Sequence, residues 1–205
     1  MTYPSIKAIV FDFGNVLLEW DPRFVYRHYF PNDEEAMEAF LREIRFAEWN
    51  SLQDKGRSFE EGIAILAREH PHRAGLIQAY HDHWQDSIGG VISGSVDILK
   101  RLKQMGYPLY GLSNWSAETF PFALSKYDFF HLFDDMVISG HVGTVKPNPA
   151  IFDLLLEKIE KRAHDCLFID DSAANIQQAD RMGFVTIHFK SPSQLENDLV
   201  QMGIL

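Results

Sequence analysis

The sequence predicts an α/β protein in which a parallel β-sheet carries helices on both faces and a helical segment is inserted after the first strand. Three observations support this prediction. Short apolar runs alternate with segments of helical periodicity, the runs are apolar at nearly every position, and one long stretch near the N-terminus contains helical patterns alone. Uniformly apolar strands are typical of a parallel sheet that is buried on both faces.

The predicted strands are apolar runs that begin near the N-terminus and resume after residue 107. They are Lys7–Asp12, Pro108–Ser113, Met136–Ser139, Cys166–Asp170 and Phe184–His188. Between them, Ser95 is predicted to cap a helix that stops at Gly106, and further helices are predicted over 147–159 and from Ser172 to Gly183. The alternation predicts right-handed βαβ units and therefore a Rossmann-like sheet.

Residues 21–89 interrupt this alternation, because they contain no run that we identify as a strand. Asp21-Pro22 is typical of a helix start, and the segment that begins at Ser58 has the pattern of a capping box. Gly89-Gly90 is predicted to be the hinge at which the chain returns to the sheet. The predicted division is therefore an α/β core of residues 1–18 and 90–205 and an inserted helical cap of residues 19–89.

Composition narrows the function classes. The 205 residues are 46% hydrophobic, which is enough for a buried core, and a net charge of −10 argues against a nucleic-acid partner. No stretch is apolar enough to span a bilayer and no signal-peptide pattern is present, so a cytoplasmic location without a membrane partner is predicted. The sequence leaves the number of subunits open.

Polar residues follow several of the predicted strands, at the edge where open α/β sheets bind their ligands. They are Asp12, Ser113 with Asn114, Lys146, and Asp170 with Asp171. Such a set suits an aspartate nucleophile, a divalent cation and a phosphoryl group.

Each of these residues also has a simpler interpretation when it is considered alone. Asp12 at a strand end can act as a nucleophile or cap a turn. Asp170 and Asp171 can hold Mg²⁺ together with Asp12, or they can form a solvated turn. Lys146 can balance phosphate charge or lie on the surface. Ser113-Asn114 can donate hydrogen bonds to a phosphate oxygen, or it can form a turn.

Taken together, the four segments resemble the four motifs of the haloacid dehalogenase superfamily of hydrolases. The motifs Phe11–Leu17, Leu112–Asn114 and Phe168–Asp171 are most similar to a bacterial glucose-1-phosphate phosphatase-like branch, which neighbours the phosphatase half of soluble epoxide hydrolases. Most members of the superfamily are Mg²⁺-dependent phosphatases that form an aspartyl-phosphate intermediate. The resemblance implies the same fold, cofactor and chemistry here.

The resemblance also assigns roles to individual residues. It implies that Asp12 is the nucleophile, that Ser113 and Asn114 hold the transferring phosphoryl group, and that Lys146 stabilises its charge.

The metal ligands that the resemblance implies are Asp12, the backbone carbonyl of Gly14, and Asp171. Asp170 would lie close to the metal or act through a water molecule.

One position departs from the phosphatase pattern. Most phosphatases of the superfamily have a second aspartate two residues after the nucleophile, which serves as general acid and base, and here that residue is Gly14. General acid–base catalysis is typically worth a factor of roughly 10²–10⁴. Four acidic residues of the cap segment are candidates for the missing group, and the sequence does not rank them: Glu19, Asp21, Glu48 and Asp54.

We therefore predict a Mg²⁺-dependent phosphatase that acts on a small phosphorylated metabolite, with a sugar phosphate as one candidate. The predicted cap would close over the site, and Trp49–Gly56 is predicted to form a loop that faces the substrate. Gly14 motivates two alternatives: a metal-independent 2-haloacid dehalogenase and a catalytically silent relative that only binds phosphate. The pair Asp170-Asp171 favours phosphoryl transfer, because a haloacid site would place these charges beside a carboxylate substrate.

Overall fold

The computed structural model describes residues 6–205 and contains a five-stranded sheet and a two-stranded ribbon. The strands are β1 (Ala8–Phe11), β2 (Leu18–Trp20), β3 (Ile88–Val91), β4 (Leu109–Ser113), β5 (Asp135–Ile138), β6 (Cys166–Asp170) and β7 (Val185–His188). The helices are α1 (Arg23–Tyr26), α2 (Glu34–Glu43), α3 (Phe46–Asp54), α4 (Phe59–Glu69), α5 (Ala74–Asp82), α6 (Ser93–Gln104), α7 (Phe120–Lys126), α8 (Ser139–Val142), α9 (Pro149–Ile159), α10 (Ala173–Arg181) and α11 (Pro192–Gln201).

The large sheet is parallel throughout, with strand order β5-β4-β1-β6-β7. All five predicted strands are therefore confirmed, each shifted by a residue at most. The central strand β1 lies in register with both neighbours, so that Phe11 is opposite Gly111 of β4 and Ile169 of β6. Because parallel strands end at the same edge, the residues that follow β1, β4 and β6 meet there.

Both faces of this sheet are covered, as predicted. Ala8 and Val10 of β1 belong to one apolar cluster, which also contains residues of α9 and α10. Ile9 and Phe11 point to the opposite face and join a second cluster that continues into the helices between β2 and β3. Alternate residues of a strand point to opposite faces, so a strand that is apolar throughout needs a core on each side.

The ribbon corrects one prediction. β2 and β3 pair in antiparallel fashion, with Leu18 opposite Val91, and both Gly89 and Gly90 lie within β3 rather than in a hinge. These strands are short, and the two glycines give β3 low β-propensity, so no local pattern indicated them. The predicted domain boundaries at residues 18/19 and 89/90 fall inside this ribbon.

The segment between β2 and β3 is helical, as predicted. Ser58 caps α4 by accepting a hydrogen bond of 3.1 Å from the Glu61 amide, which confirms the helix start at the capping-box sequence. The prediction of a loop over Trp49–Gly56 is wrong, because α3 continues to Asp54. That helix is stabilised by tertiary contacts: the Trp49 indole is buried and donates a hydrogen bond of 2.9 Å to the Gly62 carbonyl.

Two helices after the ribbon begin at residues other than the predicted ones. α6 begins at Ser93, so Ser95 lies inside the helix and does not cap it. α9 begins at Pro149 after Asn148, whose side chain accepts a hydrogen bond from the Ala150 amide. Among the helices of residues 6–205, none combines the length and the apolar character that crossing a bilayer requires.

The helical segment contacts the sheet domain close to the carboxyl edge of the strands. The Ser139 hydroxyl donates a hydrogen bond of 2.5 Å to the Asp54 carbonyl. Gly56 packs directly on Gly140, since a Cβ at Gly56 would lie 2.9 Å from the Gly140 carbonyl oxygen. The C-terminal end of α3 is therefore held against the start of α8.

Candidate active site

Asp12 follows β1 directly, and its carboxylate is held by three donors. The Phe13 amide donates to Oδ1 at 2.7 Å, the Ser113 hydroxyl at 2.8 Å, and the Lys146 ammonium lies 3.0 Å from the same oxygen. No hydrogen bond from residues 6–205 reaches Oδ2. The aromatic ring of Phe13 fixes the backbone here, because it packs over Gly111 so closely that a Cβ there would lie 2.2 Å from the ring. One carboxylate oxygen is thus oriented by the protein, and the other is available to a ligand.

Lys146 lies in the middle of the site and is only 3% exposed. Its ammonium donates to the Asp170 carboxylate at 2.6 Å and to the Leu112 carbonyl at 2.7 Å, in addition to its contact with Asp12. Burial alone would lower the pKa of Lys146, but the charges of Asp12 and Asp170 outweigh it and raise that pKa. The lysine is therefore a permanent buried cation between two strand ends.

The side chain of Asn114 is hydrogen-bonded to the backbone of Lys146. Its Nδ2 donates to the Lys146 carbonyl at 3.0 Å, and its Oδ1 accepts from the Lys146 amide at 2.8 Å. These paired bonds fix the backbone that carries the ammonium.

Asp170 is completely buried, and its carboxylate is saturated with hydrogen bonds. Asn175 donates to both oxygens at 3.0 Å, the Ser172 amide donates to Oδ1 at 2.8 Å, and Lys146 binds Oδ2. A buried ionised carboxylate is tolerated when its lone pairs are satisfied in this way. The bonding pattern suits a residue that positions Lys146 better than one that binds a metal directly.

Asp171 is partly exposed and faces the cavity. Its carbonyl accepts a hydrogen bond of 2.9 Å from Nε2 of His188, which fixes the tautomer that carries the proton on Nε2. Burial raises the pKa of the Asp171 carboxyl and the charge of Asp170 adds to this, while Lys146 and a hydrogen bond from Asn15 oppose it.

The three carboxylates form a compact acidic cluster. One oxygen from each of Asp12, Asp170 and Asp171 lies within 4.8 Å of the others. Burial raises the pKa of Asp12 to about 7, and although Lys146 lowers it, the charges of Asp170 and Asp171 raise it further. A single ammonium cannot balance three carboxylates, so the cluster has the charge and the oxygen donors that a hard divalent cation requires.

Gly14 and Asn15 form the turn that follows Asp12. Asn15 adopts a left-handed φ of 54°, which asparagine tolerates better than most residues, and its Oδ1 accepts a hydrogen bond of 3.0 Å from the Trp20 amide. A Cβ at Gly14 would meet no atom within 4 Å, so this position opens onto free space. The site therefore has room for a Cβ at this position.

A cavity of about 250 Å³ opens above the carboxylates. Polar groups form its floor, and these include Asp12, Ser113 and Asp171. Its walls are largely aromatic and come from the ribbon, the helical segment and the loop after β4: Trp20, Phe59, Tyr80, Trp84 and Trp115. No lysine, arginine or histidine from the described part of the chain lines it, so its aromatic walls suit a neutral, partly apolar group.

The structure separates the four acidic candidates of the helical segment. Only Asp54 among them lines the cavity. The side chain of Glu48 is 63% exposed, Asp21 pairs with Arg23 at 3.2 Å, and Glu19 is exposed on the ribbon. The surroundings of these three side chains depend on tertiary packing, which the sequence pattern did not reveal.

Three contributors to the site were missed by sequence analysis. Asn175 clamps Asp170, Asn15 ties the turn after Asp12 to the ribbon, and the Leu112 carbonyl accepts from Lys146. Asn175 lies five residues after Asp170, in the first turn of α10, so its spacing was a signal that could have been used. A backbone carbonyl leaves no such signal.

Residues 6–183 match the model of the haloacid dehalogenase-like hydrolases. The chain belongs to this family. As a haloacid dehalogenase-like hydrolase it is an enzyme of hydrolytic type, which confirms the family and enzyme class predicted from the four motifs.

Relatives of this haloacid dehalogenase-like hydrolase include phosphatases. It is 25% identical to D-ribitol-5-phosphate phosphatase of Bacteroides thetaiotaomicron over 95% of this chain and 97% of the relative. It is also 25% identical to drimenol cyclase drtB of Aspergillus calidoustus over 96% of this chain, but it spans only 36% of that protein.

A solved structure shares the fold. A haloacid dehalogenase family enzyme from Bacteroides thetaiotaomicron, in complex with magnesium and inorganic phosphate, superposes with a TM-score of 0.68 at 23% identity. The alignment covers 91% of this chain and 95% of that one.

Proposed function

We propose that this hydrolase is a Mg²⁺-dependent phosphatase that acts on a small phosphorylated metabolite through an aspartyl-phosphate intermediate. The observation that carries the proposal is the Asp12 carboxylate. Its Oδ1 is held by Phe13, Ser113 and Lys146, while no hydrogen bond from residues 6–205 reaches Oδ2. The phosphatases among its relatives support the same chemistry.

The donor set fits a magnesium ion. Asp12 and Asp171 would supply carboxylate oxygens, and Gly14, whose backbone carbonyl would be a further ligand, lines the same cavity. Because the oxygens of Asp170 already accept hydrogen bonds from Lys146, Ser172 and Asn175, we propose that Asp170 supports the site without binding the ion directly. When bound, magnesium would neutralise carboxylate charge and stabilise charge on the transferring phosphoryl group.

The residues of the chain perform the remaining steps. A carboxylate oxygen of Asp12 attacks phosphorus, and the bond from phosphorus to the leaving oxygen breaks. Lys146 and the Ser113 hydroxyl stabilise negative charge that spreads over the phosphoryl oxygens, and the backbone amide of Asn114 lies at the same strand end. Water then hydrolyses the aspartyl-phosphate and releases inorganic phosphate.

We also propose that residues 19–89 act as a cap over a core of residues 1–18 and 90–205. The cavity walls contributed by Trp20, Phe59, Tyr80 and Trp84 come from the cap segment, while the carboxylates come from the core. A substrate between them would be shielded from water, which strengthens electrostatic stabilisation of the transition state.

The cavity supports a substrate with one phosphate on a small neutral alcohol. A volume of about 250 Å³ is smaller than the usual range for drug-sized ligands, roughly 300–1,000 Å³. The absence of cationic side chains from the described lining disfavours a second phosphate or a carboxylate on the leaving group. A monophosphorylated sugar, sugar alcohol or short isoprenoid alcohol satisfies these limits.

The test is a panel of phosphate monoesters assayed with Mg²⁺ and with EDTA. We expect phosphate release with Mg²⁺ and loss of release with EDTA. Asp12→Asn should abolish turnover and keep the circular dichroism spectrum of the wild type. Asp153→Asn is a matched control, since it removes an exposed carboxylate of α9 outside the site.

Other outcomes would contradict the proposal. Halide release from a 2-haloacid that survives EDTA would identify a dehalogenase. Stabilisation by phosphate without any turnover would identify a silent binding protein. Mg²⁺ binding is measured independently by calorimetry, where Asp171→Asn should weaken it strongly.

A further inference from the structure

We propose that Asp54, at the end of α3, is the general acid and base that replaces the side chain missing at Gly14. The inference rests on the proposed phosphatase function and adds a catalytic residue to it. Asp54 is carried by the helical segment, whereas the nucleophile Asp12 is carried by the sheet domain. The two carboxyl groups line the same cavity.

The position of Asp54 is fixed by contacts with the helical segment and with the sheet domain. The Asn50 side chain donates a hydrogen bond of 3.1 Å to its Oδ2, and Asn50 also lines the cavity. The Ser139 hydroxyl holds its carbonyl at 2.5 Å. The same hydroxyl accepts a hydrogen bond of 2.9 Å from the Trp115 amide, so Asp54 is connected to the loop that follows Ser113.

The backbone after Asp54 supports this placement. Gly56 has φ of 97° and approaches Gly140 so closely that any side chain at Gly56 would collide with the Gly140 carbonyl. Gly140 is itself packed on the backbone of Ala117, where a Cβ would lie 2.3 Å from the amide nitrogen. These contacts hold the turn after α3 against the sheet domain and keep Asp54 facing the cavity.

The protonation behaviour of Asp54 supports the same role. Burial raises the pKa of this carboxyl to about 7, the Ser116 backbone opposes the rise, and the charge of Asp12 adds to it. A general acid works best when its pKa lies near the working pH, since both protonation states are then populated. The buried side chain of Tyr80 lines the same cavity as Asp54.

The two half-reactions balance with one proton. As Asp12 bonds to phosphorus, the bond from phosphorus to the alcohol oxygen breaks, and that oxygen takes the proton of the Asp54 carboxyl. The product alcohol leaves. The Asp54 carboxylate then takes a proton from the attacking water, the bond from phosphorus to the Asp12 oxygen breaks, and inorganic phosphate leaves with Asp54 protonated again.

The decisive experiment compares two substrates of similar size. p-Nitrophenyl phosphate releases a stable phenolate and has little need of an acid, whereas benzyl phosphate releases an alkoxide unless it is protonated. We expect Asp54→Asn to reduce kcat/KM for benzyl phosphate by roughly 10²–10⁴ and to reduce that for p-nitrophenyl phosphate by no more than about 10-fold. Glu48→Gln, an exposed carboxylate on the same helix, should leave both unchanged.

The outcomes separate this inference from the proposed function. A wild-type protein that releases phosphate from no ester of the panel, these two included, overturns both. An active wild type whose Asp54→Asn variant loses the same factor on both esters assigns Asp54 to folding or binding and overturns the inference. An active variant with no loss on benzyl phosphate overturns it as well. A selective loss on benzyl phosphate in a variant that keeps the circular dichroism spectrum of the wild type establishes it.

Discussion

The Asp54 carboxyl should make the protein less stable as the pH rises, and Asp54→Asn tests this directly. Its pKa in the folded protein is about 7 against an ordinary value of 3.8. A carboxyl that binds its proton more tightly in the folded state stabilises the fold at low pH. That contribution is lost progressively between about pH 4 and pH 7, where the unfolded chain is ionised and the folded chain is not.

The magnitude follows from the size of the shift. Between pH 5 and pH 7 the carboxyl is ionised in the unfolded chain and protonated in the folded one. Each of these two pH units lowers the free energy of unfolding by about 1.4 kcal/mol, which gives about 3 kcal/mol. Asp54 keeps partial solvent contact, so we expect about 2 kcal/mol after allowing for solvent screening. Asparagine has the same shape, accepts the hydrogen bond from Asn50 and does not titrate. The free energy of unfolding of Asp54→Asn, relative to that of the wild type, should therefore increase by about 2 kcal/mol when the pH is raised from about 5 to about 8.

The assay is urea denaturation of both proteins at the two pH values in EDTA, so that no cation alters the charge of Asp12. Glu48→Gln provides the control, because it removes a carboxylate that is 63% exposed. The reasoning would be refuted if Asp54→Asn had a lower free energy of unfolding than the wild type by the same amount at both pH values. The ionised carboxylate would then stabilise the fold as well as the protonated one does. The expected combination of higher stability and lower activity is characteristic of a strained catalytic group.

Three further predictions concern the site and its supports. Lys146→Met should lower the free energy of unfolding in urea by about 3–5 kcal/mol, because it leaves buried carboxylates without a cation; a loss below about 1 kcal/mol would contradict the buried-pair geometry. Gly140→Ala should cost about 2 kcal/mol through its clash with the Ala117 amide, and Gly14→Ala, where a Cβ meets nothing, should change stability by less than about 0.5 kcal/mol in the same assay. In an Asp54→Asn background, Gly14→Asp should raise kcat/KM for benzyl phosphate by about 10-fold or more, and an unchanged rate would show that an acid at this position does not reach the leaving oxygen.

The sheet was predictable because its strands carry a strong local signal. Phe168 and its neighbours in β6 are apolar at nearly every position, which suits a strand buried on both faces. The convergence of Asp12, Ser113 and Asp170 followed from the same argument, since the ends of neighbouring parallel strands meet at one edge. The roles of these residues in catalysis and metal binding stay predictions.

The ribbon and the orientation of Asp54 could not be predicted, because neither has a local signal in the sequence. β3 contains Gly89 and Gly90 and forms only because Leu18–Trp20 lies beside it, which is a contact between segments far apart in sequence. Asp54 faces the cavity because Gly56 packs on Gly140, again a contact without a local pattern. The cytoplasmic location also stays a prediction.

The ribbon joins the helical segment to the turn that carries the nucleophile. The Asn15 amide donates to the Leu18 carbonyl at 2.7 Å, the Asn15 side chain holds Trp20, and the Ile92 amide donates to the Leu17 carbonyl at 2.9 Å. The ribbon therefore connects the helical segment to the backbone only a few residues beyond Asp12. A tilt of the helical segment that admits a bulky substrate would displace the Asp12 carboxylate. The alignment of its reactive oxygen therefore depends on how well the substrate fits the cavity.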